Sequence, residues 1–247
     1  MASSWTKFAS GAKRRGGKKG ITWVSVAVCV IAVVGYLLSG TELPELPDGF
    51  DYGEVPEYSG APVVELNDNV PFFAQSEVVD TAYEDYAPLD SLGRCGSAMA
   101  CIGTELMPTE ERGDIGMIKP SGWHTVRYDD LIKDKYLYNR CHLIAFMLAG
   151  ENANERNLTT GTRYLNVEGM LPYEEEVCDY VKETGNHVMY RVSPVFVGKE
   201  LVARGVLMEA YSVEDSGRGV RFCVFAYNVQ PGVVIDYATG ESWRAES

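Results

Sequence analysis

The stretch that decides the fold is Tyr138–Val177, YNRCHLIAFMLAGENANERNLTTGTRYLNVEGMLPYEEEV. It opens on a short apolar run around His142, one of only 3 histidines in the chain. Tyr136 to Leu148 reads as a strand or strand pair, and GENANERN at 150–157 as a polar loop. Thr162 to Met170 opens a helix, and Pro172 suits the first turn of a following one. Val177, Tyr180 and Val181 then recur at helical spacing, acids crowd the first turn, and Gly185-Asn186 stops the run. Downstream come three strand candidates, HVMYRVSPVFV (187–197), LVARGVLMEAYSV (201–213) and VRFCVFAYNV (220–229). Gly198 and DSGRG at 215–219 mark the turns between them. An antiparallel meander with a helix against it makes an α+β fold. Upstream, VVELNDNVPFF (63–73) reads as a strand entering the fold, whereas residues 76–115 mix Gly, Pro and acids and carry no assignment.

The N-terminus bears on the compartment. ITWVSVAVCVIAVVGYLL, Ile21 to Leu38, is uncharged throughout. As a helix it spans roughly 27 Å, close to the ~30 Å hydrocarbon core of a bilayer. Residues 1–20 carry Lys7, Lys13, Arg14, Arg15, Lys18 and Lys19 and no acid. The positive-inside rule holds this basic segment in the cytoplasm and places the rest of the chain outside. An uncleaved single-pass anchor is one reading. A cleaved signal peptide, which leaves a secreted protein, is the other, although Leu37-Leu38-Ser39-Gly40 offers no small-x-small cleavage site. Residues 39–62 are rich in Pro, Gly and acids and read as an extended linker, so the folded domain is expected over 63–247. Cys29 lies in the apolar span, and Cys95, Cys101, Cys141, Cys178 and Cys223 lie beyond it, where disulfides persist. Their number is odd, no CxxC spacing suggests zinc, and each also reads as a small buried hydrophobe, Cys141 above all.

Beyond residue 20 the chain carries 16 basic and 35 acidic residues, which argues against a protein that coats nucleic acid by bulk charge. The window Lys119–Asn166 departs from this, with 7 basic residues against 5 acids. It contains the candidate chemistry. Phosphodiester hydrolysis needs a base for water, a hard cation for the developing charge, and a cationic side chain to hold phosphate. His142 suits the first task. An amide oxygen and a carboxylate, Asn166 and Glu174, suit a hydrated magnesium ion. Arg140 shares the face of His142 on an ideal strand, since i and i+2 point the same way. His124 and His187 read as structural. Tyr136 and Tyr138 read as core or rim, with stacking on bases as the functional alternative.

At these residues the sequence resembles the DNA/RNA non-specific endonucleases with a ββα-metal site, particularly their bacterial exported branch. The family's Asp-Arg-Gly-His motif reads Asn139-Arg140-Cys141-His142 here, NLTTGTRYLN supplies Asn166, and PYEEEV supplies Glu174 eight residues later. The likeness continues through HVMYRVSP to YNVQPGVVIDYATGES and covers roughly Asp90 to Ser242. It implies a ββα-metal core with His142 as general base. It also implies Asn166 as direct ligand of one hydrated Mg2+, for which Mn2+ substitutes, and Glu174 as the residue that orients metal-bound water. Arg140, Arg163 and Arg156 would contact phosphate. The substrate would be DNA, and RNA as well, cut to leave a 5′-phosphate and a 3′-hydroxyl. No protein inhibitor is legible. Two departures stand out: Asn139 replaces the family's aspartate, and Cys141 its glycine. They are the support for an alternative, a catalytically inactive, membrane-anchored module of the same fold that binds nucleic acid or a protein.

Overall fold

The structure is a computed structural model that describes residues 44–246. The basic segment 1–20 and the apolar span Ile21–Leu38 lie outside the described residues. Among the described residues no helix is long and apolar enough to cross a membrane.

A six-stranded antiparallel sheet forms the frame. Its strands are β1 (Val63–Glu65), β2 (Tyr83–Tyr86), β3 (Ala98–Ile102), β6 (Val188–Val195), β7 (Gly205–Ser212) and β8 (Arg221–Tyr227), in the order β1-β8-β7-β6-β3-β2. The meander β6-β7-β8 follows the three strands expected from sequence, trimmed at their ends. The strands β2 and β3 lie within 76–115, the region that carried no assignment, and β3 pairs with β6 over Ala98–Ile102. Period-two alternation sorts the side chains of β6. Val188, Tyr190 and Val192 join the main core with Val206, Met208, Phe222 and Val224, while Val195 joins a cluster with Phe225 and Tyr227.

Within the segment 39–62, expected to be an extended linker, that second cluster corrects the expectation for the described residues 44–62. Leu46, Phe50, Tyr52, Val55 and Tyr58 pack on it, and Tyr58 stands edge-on to Tyr227 at 5.5 Å. Pro, Gly and acids keep this segment from forming regular structure. They do not prevent its aromatic rings from burying area against a sheet, at about 0.5–1.5 kcal/mol per aromatic pair beyond the area term.

The other face of the sheet carries helix α2 (Leu171–Thr184). Its buried side are Glu174, Val177, Cys178 and Val181, with Glu175 and Glu176 turned to solvent. Gly185 closes it in the left-handed region at φ 70°, its N–H donating to the Val181 carbonyl. Against this layer lies a separate antiparallel hairpin of β4 (Tyr138–His142) and β5 (Leu158–Thr162). The reading of Tyr136–Leu148 as strand is therefore corrected: the chain leaves β4 at His142 and forms the short helix α1 (Phe146–Ala149). The reason is Asn157, fully buried, whose side chain accepts from the Ile144 N–H at 2.8 Å and donates to the Ile144 carbonyl at 3.0 Å. A last small hairpin pairs β9 (Val233–Ile235) with β10 (Ser242–Arg244). Cys95, Cys101, Cys141, Cys178 and Cys223 are all free thiols and all buried, the state of a small core hydrophobe.

Candidate active site

The chain passes from β5 directly into a π-helical stretch, Leu165–Met170, that runs into α2. Thr162 fixes its start: its hydroxyl accepts from the Leu165 N–H at 2.9 Å and donates to the Val229 carbonyl at 2.7 Å. So Asn166 and Glu174 lie on one continuous helical path rather than on two. Eight residues of ideal α-helix leave two side chains roughly 80° apart. The wider π turn advances fewer degrees per residue and reduces that offset. Both side chains line one cleft of about 660 Å³ with Arg140, His142 and Arg163.

His142 ends β4 and is 6 % exposed. Its Nε2 lies 2.9 Å from the Asn152 carbonyl, an acceptor only, so Nε2 carries the proton. Its Nδ1 lies 3.2 Å from an Arg112 guanidinium nitrogen, a donor only, so Nδ1 holds the lone pair. Burial lowers the imidazole's proton affinity, the Asn152 carbonyl raises it, and the Arg112 charge lowers it further. The ring is thus held neutral, in one tautomer, with its basic nitrogen toward the cleft.

Glu174 is 8 % exposed in the first turn of α2. Burial pushes its carboxyl up to about 8, against the opposing pull of Arg112. Among the described residues the carboxylate makes no hydrogen bond or ion pair, and neither does the Asn166 amide. A buried carboxylate without a protein partner beside an amide oxygen fits a divalent cation. No group of three or more His, Cys, Asp or Glu side chains gathers among the described residues. Asn166 and Glu174 offer oxygen donors, which suits a hard ion that keeps most of its waters.

Arg140 reaches the same cleft but is already engaged. Its Nε donates to the Ile118 carbonyl, its terminal nitrogen donates to the Gly116 carbonyl at 2.8 Å, and its plane lies 4.1 Å over the Trp123 ring. Arg163 lines the cleft and pairs with Asp134. Arg156 is exposed in a single 3-10 turn, Glu155–Asn157, and is not among the cleft's lining residues. His124 Nε2 lies 3.0 Å from the Thr239 carbonyl, and His187 pairs with Glu214 at 2.7 Å, both away from the cleft.

The two motif departures are accommodated. Cys141 points away from the cleft into the core, fully buried. On the neighbouring strand a Cβ at Gly161 would come within 2.4 Å of the Cys141 sulfur, so the missing side chain at 161 makes room for the one at 141. Asn139 faces the cleft with a buried, unpartnered amide nitrogen. It makes no hydrogen bond to His142, whose tautomer is set by Asn152 instead.

Sequence reasoning missed Arg112 and the Asn152 carbonyl. The one available signal for Arg112 is that it is the sole cation between Thr104 and Gly116, among Glu105, Glu110, Glu111 and Asp114.

Residues 75–214 match the family described as DNA/RNA non-specific endonuclease, over half of the chain. The chain belongs to this family. Among solved structures, this family member is similar to NucA from Streptococcus agalactiae with magnesium bound, at 27 % identity and a TM-score of 0.67, over 78 % of this chain and 93 % of that one. The metal-free form of NucA matches equally, at 28 % identity and a TM-score of 0.67, over 78 % and 92 %. The Sda1 nuclease with bound zinc matches at 28 % identity and a TM-score of 0.58, over 66 % and 82 %. A deoxyribonuclease of Streptococcus dysgalactiae subsp. equisimilis is 32 % identical over 112 residues, 43 % of this chain and 33 % of that protein. The match thus spans about a third of that relative's length.

Proposed function

We propose that the protein is a divalent-cation-dependent endonuclease that hydrolyses DNA and RNA without sequence preference on the outer side of a membrane. The observation that carries this reading is the neutral His142 ring, with its lone pair on Nδ1 facing a cleft that also holds an unpaired buried carboxylate.

In this reading Nδ1 takes a proton from water as the water oxygen bonds to phosphorus and the bond from phosphorus to the 3′-oxygen breaks. Solvent protonates the departing oxygen, which leaves a 5′-phosphate and a 3′-hydroxyl. The Asn152 carbonyl keeps its hydrogen bond to Nε2–H throughout and stabilises the imidazolium that forms. Arg112 masks Nδ1 in the absence of substrate. A phosphate offers its guanidinium charge-assisted bonds in place of one bond to a neutral ring, so substrate entry draws Arg112 off the base. Asn166 and Glu174 would hold the cation, as Mg2+ or its substitute Mn2+. When bound, the cation neutralises charge on the scissile phosphate and on the departing oxygen. The magnesium and zinc in the two similar nucleases support a cation requirement. Lack of sequence preference follows from a site that grips phosphate and presents no base-reading helix. The alternative of an inactive binding module rests on Asn139 and Cys141, and neither disturbs the hydrogen bonds of the His142 ring.

The compartment follows from residues 1–38: basic residues held in the cytoplasm, an apolar span, and the nuclease domain outside, anchored or released by cleavage. The test is plasmid cleavage by the purified chain with Mg2+ and with EDTA, beside Asn166→Ala. Cleavage that needs the metal and is lost in the variant supports the reading. Cleavage unchanged in EDTA overturns it.

A further inference from the structure

Two aromatic rings are strongly exposed among the described residues, Tyr136 at 47 % and Trp243 at 53 %. Only Tyr136 lies in the cleft that holds His142. The other tyrosines at this end are spent on the fold: Tyr138 is 4 % exposed and donates to the Gly240 carbonyl, and Tyr128 is 8 % exposed and bonds the Ser242 hydroxyl. Trp123 has its face covered by Arg140. Tyr136 is presented rigidly. It is bridged to Arg127 across a turn closed by the bonds Tyr128 N–H to Lys135 carbonyl and Lys135 N–H to Ile132 carbonyl, both 2.8 Å, with Lys135 held at φ 72°. The Arg127 guanidinium lies 5.3 Å over the ring and is itself aligned by Asp129 at 3.0 and 3.2 Å.

We infer that Tyr136, backed by Arg127, is a stacking platform for an unpaired nucleobase of a single strand flanking the scissile phosphate. A bare ring with a guanidinium on one face, set in a phosphate-binding cleft, matches the π-face common to all bases, so it adds affinity without adding sequence preference. Six residues of extended chain separate Tyr136 from His142, at most about 20 Å, or on the order of six stacked nucleotides. The platform therefore acts on a base within that span of the scissile phosphate. It favours strands with unpaired bases over duplex, whose bases have no free face.

This inference rests on the nuclease reading, and its test separates the two. Binding of a short fluorescein-labelled oligodeoxynucleotide to the full chain is measured by anisotropy in EDTA, so that no cutting is needed. Wild type is compared with Tyr136→Phe, Tyr136→Leu and Tyr136→Ala, on an intact strand and on one with abasic sites along its length. The expected result is that the Phe variant binds as wild type, and that the Leu and Ala variants bind about fivefold to thirtyfold more weakly. The abasic strand abolishes the difference. With Mg2+ the same variants raise KM and leave kcat unchanged. Full affinity in the Ala or Leu variant, or equal wild-type binding of intact and abasic strands, overturns the platform. Absence of cleavage by wild type in Mg2+ would overturn the nuclease reading while the anisotropy result still decides the platform.

Discussion

Two glutamates lie buried on opposite sides of the same sheet. Glu209, on β7, is fully buried and fully partnered. Arg191 donates to it at 2.7 and 3.0 Å, and the Phe72 N–H donates at 2.7 Å. Glu174, on α2, is 8 % exposed and has no hydrogen bond among the described residues, and burial pushes its carboxyl up to about 8. A buried charge that the protein itself neutralises is part of the fold. A buried carboxyl that the protein leaves without a partner, and that stays protonated up to about pH 8, is open to something else, a cation in the proposed reading. The motif singles out Glu174 in the sequence, and the partners of the two residues separate a structural carboxylate from a candidate functional one.

Five substitutions test the cleft and the fold around it. The largest effect belongs to the cleft. His142→Ala lowers kcat by about 10²–10⁴-fold, the usual worth of a general base, in a protein that remains folded by circular dichroism. A variant that cuts at the wild-type rate would remove His142 from the mechanism. Next is the partnered side. Arg191→Met leaves Glu209 buried and alone, and costs about 3–5 kcal/mol in denaturant unfolding, with no change in the cation dependence of cleavage. A smaller loss, about 1–3 kcal/mol, is expected for Gly161→Ala, which drives a methyl group into the Cys141 sulfur. Adding Cys141→Gly should restore most of it, and failure to do so would separate the two positions.

The smallest effect has the opposite sign. Glu174→Gln stabilises the cation-free protein by about 0.5–2 kcal/mol at pH 8 while abolishing cation-dependent cleavage. Because the folded carboxyl titrates near 8 rather than at its ordinary 4.5, the folded state binds more protons between those values. Stability is therefore greatest below pH 4.5 as far as this group is concerned, and falls as pH rises through about 8. Mg2+ should raise the unfolding temperature at pH 8 and hardly at pH 5. A Mg2+ shift that persists in Glu174→Gln would place the cation elsewhere. Burial and the Arg112 charge lower the proton affinity of His142, so that ring stays neutral to lower pH than a free imidazole.

Much of this was legible in the chain. The strands 187–197, 201–213 and 220–229 read as apolar runs bounded by turn residues, α2 has acids at its start and Gly185 at its end, and Asn166 and Glu174 stand eight residues apart. Local periodicity and local spacing determine such features, because neighbours in sequence are neighbours in space. The sequence by itself thus determined the α+β class and the helix, and it singled out His142 as the candidate base. What only the tertiary structure decided involves residues that chain closure brings together. Arg112 reaches His142 from 30 positions away, out of a stretch whose strands β2 and β3 are too short, between loops with Gly and Pro, to show a period. Three arginines identical in kind were sorted by contacts alone: Arg140 was taken up by loop carbonyls, Arg163 was set at the cleft, and Arg156 was left exposed outside it. The Asn152 carbonyl that sets the tautomer of His142 belongs to the backbone and has no side-chain signature to read. Cys141 fits because Gly161, diagonal to it on the neighbouring strand, has no side chain, and that proximity exists only once the strands are in register, with Cys141 opposite Thr159 and Gly161 opposite Asn139.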